Sequence, residues 1–344
     1  MAIIDKPSDY FNTKLYTGTG SELANTGVGF QPDWTWIKDR DTASNHMVTD
    51  AVRGATKTLY IQNADGESTV AQALKSFNTD GFTVGTDGDV NANTKNFASW
   101  NWLANGSGSS NGTGSITATV SANTTSGFSI VSYTGTGSNA TVGHGLGSVP
   151  KMMIVKRRSG DTEHWVTYHQ ALGATNAVYL NLTNASGAST PLWNDTAPTS
   201  SVFTVGTGSG VNANGSPLIA YCFADTSMSK MGSYTGNGNA DGTFVYTGFK
   251  PAFVIVKRSD GVDDWVTFDN KRNGFNGNNT FLKPNTGEAD SSVTTYIDLL
   301  SNGFKPRNSW GSLNTSGGAY IFMAFAENPF VTSTANGSIP ATAR

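Results

Sequence analysis

The chain has 344 residues, a formal net charge of -3 and a single cysteine, Cys222. This charge provides no basic footprint for nucleic acid, and one cysteine excludes an intrachain disulfide. The sequence shows neither a secretory leader pattern nor an apolar run of about 18 residues. We therefore expect a protein that folds in the cytoplasm of the producing cell, does not bind nucleic acid and does not insert into a membrane.

The composition favours short strands joined by tight turns. Glycine is abundant, with 40 residues, and only 14% of the chain is charged. The 18 Phe, 11 Tyr and 8 Trp residues supply the apolar area that a packed core needs. We expect an all-β fold with little helix.

The chain repeats itself three times, at a period of roughly 100 to 120 residues, which is the size of a whole β domain. A Tyr-Thr-Gly turn marks the beginning of each copy. Its three occurrences are Tyr16-Thr17-Gly18, Tyr133-Thr134-Gly135 and Tyr234-Thr235-Gly236. We interpret these glycines as hairpin turns, because no helix with the Lys-Ser/Thr of a phosphate loop follows them.

A proline followed by an apolar strand and a lysine is the second mark. The three strands are Trp34–Lys38, Met152–Lys156 and Phe253–Lys257. Such runs are typical of a central strand that is buried on both faces. A shorter strand follows in each copy, and the shared Val-Thr pair aligns Met47 with Trp165 and Trp265.

The last strand of each copy has one large apolar face. A period of two places on that face Ala98, Trp100 and Trp102, then Ile219, Tyr221 and Phe223, then Ile321, Met323 and Phe325. We predict that this face lies in the core. Cys222 lies on the opposite face, where we interpret it as a small buried spacer and not as a nucleophile.

These marks predict three tandem β-sandwich-like domains of about 100 residues each, related by internal repeat. The predicted boundaries are 1–104 for the first domain, 105–114 for a Gly/Ser/Asn linker, 115–225 for the second domain, 226–328 for the third and 329–344 for a C-terminal tail. The tail is either an assembly arm or a frayed end. Two short helices are predicted, over 69–77 and 291–300.

The residues that usually carry chemistry are scattered. Two of the four histidines, His164 and His169, lie five apart on an extended strand, which directs them to opposite faces and favours exposed or edge-strand positions. Asp87-Gly88-Asp89 has the alternating oxygen ligands of a calcium loop but lacks its glutamate. We expect no catalytic residue, no cofactor and no metal ion, and therefore no enzyme.

Three aromatic residues fall outside the strand marks: Tyr60, Trp193 and Trp310. Exposed aromatic rings in loops form stacking platforms for sugars in many β-sandwich proteins. We predict these three as ligand-binding residues. The alternative is that each ring is a hydrophobic plug under its own loop or part of a subunit contact.

The segment Ala140–Gly147, the strand Ile154–Lys156, and Tyr320–Phe325 followed by Glu327-Asn328-Pro329-Phe330 resemble repeat-containing structural or tail-fibre-like proteins of marine tailed phages. The resemblance spans most of the chain. It implies a virion location, other virion proteins as partners, a homo-oligomer such as a trimer, and contact with a host surface glycan or receptor.

The resemblance leaves three functions open. A tail fibre or tail-tip adhesin would present its loops to the host. A capsid decoration or cement protein would stabilise the head, and the absence of a coiled-coil or collagen-like shaft keeps this alternative open. A polysaccharide depolymerase is the second alternative, although no carboxylate pair recurs at equivalent positions of the copies.

Overall fold

The computed structural model describes residues 3–160, 163–273, 276–292 and 294–330. The fold is all-β, with 43% strand and 6% helix, and has a β-sandwich-like arrangement of antiparallel sheets. The predicted all-β class and low helix content are therefore confirmed. None of the described helices is long and apolar enough to cross a membrane.

The first segment of the chain follows a short 3-10 turn at Pro7–Asp9 and forms one large and one small sheet. Its large sheet has the order β1-β9-β3-β4-β5-β6, and its small sheet the order β2-β8-β7. The elements are β1 Phe11–Thr17, β2 Leu23–Thr26, β3 Trp34–Asp39, β4 Met47–Asp50, β5 Lys57–Tyr60, β6 Ser68–Thr69, β7 Leu74–Asn78, β8 Gly81–Val84, α1 Gly88–Asn91 and β9 Asn96–Trp102.

The second segment forms a large sheet of order β10-β11-β12-β19-β14-β15-β16-β17 and a small sheet of β13 and β18. The elements are β10 Ser109–Asn111, β11 Ala118–Asn123, β12 Phe128–Thr134, β13 Ala140–Gly143, β14 Met152–Arg157, β15 Val166–His169, β16 Asn176–Tyr179, β17 Gly187–Ala188, α2 Thr190–Trp193, β18 Val202–Val205, α3 Ser209–Asn212 and β19 Pro217–Phe223. Strand β10 lies within the stretch predicted as a linker and pairs with β11 at the edge of the sheet.

The third segment forms a large sheet of order β20-β26-β22-β23 and a small sheet of order β21-β25-β24. The elements are β20 Ser229–Thr235, β21 Val245–Tyr246, β22 Phe249–Arg258, β23 Trp265–Asp269, β24 Ile297–Leu300, β25 Gly303–Pro306, α4 Gly311–Asn314 and β26 Ala319–Pro329. Most of the predicted C-terminal tail, residues 331–344, lies outside the described residues.

The apolar run that follows each proline lies in a central strand of its large sheet, as predicted. Strand β3 lies between β9 and β4, β14 between β19 and β15, and β22 between β26 and β23. Nearly every residue of these three strands is buried, because both faces of each strand are covered.

The two predicted helices are wrong. The stretch 69–77 includes most of β7, which forms a hairpin with β8, and 291–300 contains β24, which pairs with β25. Their spacing of apolar residues fits a helix over about two turns only, and pairing with a neighbouring strand supplies the backbone hydrogen bonds instead.

The inner faces of all three large sheets meet in one hydrophobic core. The face predicted from the last strands is confirmed, since Ala98, Trp100, Trp102, Ile219, Tyr221, Phe223, Ile321, Met323 and Phe325 all belong to this core. Rings from different segments are in direct contact. Trp34 stacks on Tyr221 at a centroid distance of 4.5 Å, and Phe11 stacks on Phe325 at 5.0 Å. Pairs of this kind contribute about 0.5–1.5 kcal/mol beyond their burial.

The outer faces of the first two large sheets are covered by the small sheets. In the first segment, Phe82 and Val84 of β8 pack over Ile37. In the second, Phe203 and Val205 of β18 pack over a face that includes Cys222. Each of these segments is therefore a two-layer unit whose large sheet lies between the common core and a smaller core.

Candidate functional site

The strand registers show which residues are equivalent in the three segments. Ile37 pairs with Met47, Val155 with Val166 and Val256 with Val266. Trp165 and Trp265 are therefore equivalent to each other. The equivalent residue of the first segment is His46, which precedes Met47. The predicted alignment of Met47 with the two tryptophans is wrong by one residue, because hydrogen-bond register and not the shared Val-Thr pair sets the equivalence.

These equivalent residues reach from one segment to the segment before it. The indole Nε1 of Trp165 donates to the carbonyl oxygen of Tyr60 at 2.9 Å, and Nε1 of Trp265 donates to the carbonyl oxygen of Tyr179 at 2.9 Å. His46 is affected by the third segment, because the backbone of Lys283 offsets part of the lowering of the His46 pKa.

His46 is held within its own segment. Its Nδ1 accepts a hydrogen bond from Trp36 Nε1 at 3.0 Å, whereas its Nε2 is buried without a described hydrogen-bond partner. Burial, followed by the charges of Lys38 and Arg272, holds the pKa of His46 well below its usual value. The ring is therefore neutral at neutral pH.

A second set of equivalent residues reaches from one segment to the next. Asp50, His169 and Asp269 pair with Trp34, Met152 and Phe253, respectively, at the ends of β4, β15 and β23. Asp50 Oδ2 accepts from the Tyr221 hydroxyl at 2.7 Å. Asp269 Oδ2 accepts from Trp100 Nε1 at 3.1 Å, and this contact joins the third segment to the first.

His169 makes the remaining contact of this set, and the prediction that it is exposed or on an edge strand is wrong. It is fully buried on β15, between β14 and β16. Its Nε2 donates to the carbonyl oxygen of Phe322 at 3.2 Å, and its Nδ1 accepts from the amide of Ala171 at 3.2 Å. Burial lowers its pKa to about 4, and the contact with Phe322 offsets only part of this effect.

Each of the two aspartates also forms a buried ion pair. Asp50 Oδ2 lies 2.5 Å from Arg53 Nε, and Asp269 Oδ2 lies 2.5 Å from Arg272 Nε, with all four side chains inaccessible to solvent. Burial alone would raise the pKa of Asp269, but the charge and hydrogen bonds of Arg272 outweigh it and leave the pKa below its usual value. Both pairs have Asp and Arg three residues apart in the sequence, and this repeated spacing is the sequence signal for them.

Ion pairs also join the first segment to each of the other two. Glu67 of the first segment accepts from Arg158 Nε of the second at 2.8 Å. Asp290 of the third segment accepts from Arg40 Nε of the first at 2.7 Å, and also from Arg272 Nη1 at 2.7 Å. The corresponding junction between the second and third segments includes a backbone bond from Ser186 to Ser259 at 2.8 Å.

A fully buried lysine lies one residue before the end of each central strand. Lys156 Nζ donates to the carbonyl oxygen of Ala64 at 2.7 Å, and Lys257 Nζ donates to that of Thr183 at 3.2 Å, so each reaches the preceding segment. Burial lowers the pKa of Lys38 and of Lys257 to about 8. A perturbed lysine can indicate catalysis, but these ammonium groups are occupied by backbone oxygens.

The predicted ligand-binding residues do not lie together. Tyr60 ends β5 and is half-buried. Trp193 lies in α2 and is 1% exposed, and its ring packs edge-on against Tyr168 at a centroid distance of 5.8 Å. Trp193 is therefore not an exposed platform but a plug under its loop. Trp310 is half-buried against Phe281, at a centroid distance of 4.7 Å. Ligand binding by Tyr60 and Trp310 stays a prediction.

The remaining candidate groups have structural partners. Asp87 accepts from the amide of Asp89 at 2.9 Å and so caps α1, and Asp89 in turn accepts from Asn45 Nδ2 at 2.7 Å. His164 contacts Asn181, away from His169. Within the described ranges, no group of three or more His, Cys, Asp or Glu side chains is placed to hold a metal ion. Cys222 is buried as predicted, and burial raises its pKa to about 12.

The fold and these contacts define an all-β, β-sandwich-like protein whose buried polar side chains connect its segments. The model of the family described as "Domain of unknown function (DUF7483)" matches residues 6–329, so the chain belongs to this family. No curated protein matches the chain in a sequence comparison.

Proposed function

We propose that the chain is a non-enzymatic structural protein of a tailed-phage virion, a surface-exposed tail fibre or tail-tip adhesin that contacts a host receptor or glycan. The resemblance of Ala140–Lys156 and Tyr320–Phe330 to tail-fibre-like proteins supports the virion location. Other virion proteins and further copies of the chain, as in a trimer, are its proposed partners.

One observation carries the non-enzymatic part of the proposal. Catalysis requires reactive groups that converge on an accessible cleft. The groups described here with strongly shifted pKa values, such as His169 and Lys257, instead bond to backbone oxygens of a neighbouring segment. They stabilise the body of the protein, and recognition is left to its surface.

We also propose that the chain contains three tandem β-sandwich-like units related by internal repeat, over 1–104, 115–225 and 226–328. The support is the cyclic pattern of contacts. Equivalent residues such as Asp50, His169 and Asp269 each reach the following unit, and the last of them reaches the first unit. In this proposal the three units share a core and form one rigid body.

Antibody labelling of intact particles tests the virion location. Gold-labelled antibody against the purified chain is expected on the tail, and antibody absorbed with the chain is the control. Label on the head would contradict the adhesin and favour the capsid decoration protein. Label on neither would contradict both. Loss of host polysaccharide on incubation with the purified chain would contradict a non-enzymatic role and favour the depolymerase.

A further inference from the structure

Two exposed aromatic side chains flank Val245 on the third small sheet, Phe244 just before β21 and Tyr246 at its end, and we call them the aromatic platform. Phe244 and Tyr246 are 46% and 60% exposed, whereas Val245 between them is 4% exposed. Because side chains alternate along a strand, Val245 points into the core and both rings lie on the outer face. The tryptophans, by contrast, are all buried or half-buried.

Two glycines make room for the rings. Gly303 pairs with Tyr246, and a Cβ on it would lie 3.0 Å from an atom of the Phe244 ring and 2.1 Å from the Val245 carbonyl oxygen. Gly248 has a φ of +86°, and its Cβ would lie 3.6 Å from the Tyr246 hydroxyl. The rings therefore lie beside glycine backbone, and no side chain at these two positions covers them.

Charged side chains border the platform on the same small sheet and the loop before it. Asp241, which is 82% exposed, pairs with Lys305 and lies 3.7 Å from Arg307. Arg307 in turn lies 3.4 Å from Asp298. Two carboxylates and two cations neutralise each other, so the border offers hydrogen-bond donors and acceptors without a net charge.

The fold does not require aromatic side chains at these positions. Val245 pairs with Phe304 as Val142 pairs with Phe203 and Asn25 with Phe82. The residues equivalent to Phe244 and Tyr246 are therefore Ala24 and Thr26 in the first segment and Thr141 and Gly143 in the second. The same pair of strands forms there without aromatic rings, so packing does not account for the platform.

We propose that the aromatic platform binds a neutral sugar ring of a glycan. The apolar face of a pyranose stacks on aromatic rings while its hydroxyl groups take hydrogen bonds from polar neighbours. Phe244 and Tyr246 supply the rings, and Asp241 and Arg307 supply the polar neighbours. The balanced charge favours a neutral sugar over a phosphate or an acidic sugar.

The area of the platform argues against a protein partner. A buried aromatic residue contributes about 150–250 Å², so the exposed parts of these two rings amount to roughly 200 Å². A stable protein interface needs about 800 Å² from each partner. One or two sugar rings match the smaller area. The inference deepens the proposed adhesin function and rests on it only for its biological meaning.

Saturation-transfer NMR with the purified full chain tests the proposal. The probes are the methyl glycosides of glucose, galactose, mannose, rhamnose and N-acetylglucosamine, with glucuronate and N-acetylneuraminate as acidic probes. We expect at least one neutral probe to bind. Its affinity, measured by calorimetry, should fall about tenfold or more in Tyr246→Ala, and binding should be lost in the double variant Phe244→Ala/Tyr246→Ala.

Two further variants keep the test specific. Tyr246→Phe keeps the ring and should retain most of the affinity. Thr26→Ala changes the equivalent exposed position of the first segment and should bind like the wild type. Far-ultraviolet circular dichroism and the thermal midpoint establish that each variant is folded.

Four results would overturn the proposal. The chain could bind none of the neutral probes, or it could prefer the acidic probes. The double variant could bind as tightly as the wild type, or its only change could be a smaller oligomer. The last would identify the platform as a protein contact. Because the assay uses the isolated chain, its result is independent of where the chain lies on a particle.

Discussion

Replacing Asp269 by alanine should destabilise the whole protein strongly. The carboxylate is inaccessible to solvent, pairs with Arg272 at 2.5 Å and accepts from Trp100 Nε1 at 3.1 Å. Its removal leaves a buried guanidinium with only part of its partners and a buried indole N–H with none. Breaking a buried pair in this way costs about 3–5 kcal/mol, so we expect a loss of that size in the free energy of unfolding.

Urea unfolding of the full chain, followed by tryptophan fluorescence at pH 7, measures this loss. Asp260→Ala is the matched control, because Asp260 also pairs with an arginine but is 41% exposed, and it should change stability by less than about 1 kcal/mol. The double variant Asp269→Leu/Arg272→Met should lose less than Asp269→Ala, since it leaves no unpaired charge from this pair. Equal effects of Asp269→Ala and Asp260→Ala would refute the reasoning.

Three further predictions follow from the junctions and the core. The pKa of His169 is about 4 when folded against 6.5 when unfolded, so its neutral form is favoured by folding. The contribution of His169 to the free energy of unfolding is therefore fully present above about pH 6.5. It falls by roughly 3 kcal/mol as the pH decreases towards 4. Urea midpoints between pH 8 and pH 4.5 should fall less steeply in His169→Asn, and an unchanged slope would contradict this. Trp265→Phe removes the bond to the Tyr179 carbonyl and should cost about 1–3 kcal/mol by the same assay, more than Trp310→Phe at a half-buried site; the reverse order would count against the junction. Cys222 should react with a thiol reagent at pH 8 only after unfolding in urea, and labelling of the folded chain at the unfolded rate would disprove its burial.

Local sequence patterns were sufficient to predict the central strands, the last strands and the core face. The apolar run Phe253–Lys257 and the alternation in Tyr320–Phe325 are properties of a few neighbouring residues, and both predictions are confirmed. The prediction that Cys222 is a buried spacer follows from the same alternation. In these cases the pattern of apolar residues within the strand itself determines which of its side chains are buried.

Contacts between distant residues could not be predicted in this way. His169 is polar, and its burial depends in part on a hydrogen bond to the Phe322 carbonyl oxygen, 153 positions away. Strand register and not residue type assigns His46 to the place of the two tryptophans. The burial of Trp193 likewise depends on Tyr168, a neighbour in space that lies on another element.

Hydrogen exchange in the full chain tests most directly whether the three segments form one cooperative body. Amides of β9, β19 and β26, which supply the common core, should open with the same free energy in mild urea, and that free energy should equal the global free energy of unfolding. Mass spectrometry of peptides from each strand measures the three values. If the free energy of opening of one segment were several kcal/mol lower than that of the other two, the segments would unfold separately. That result would contradict a single cooperative body.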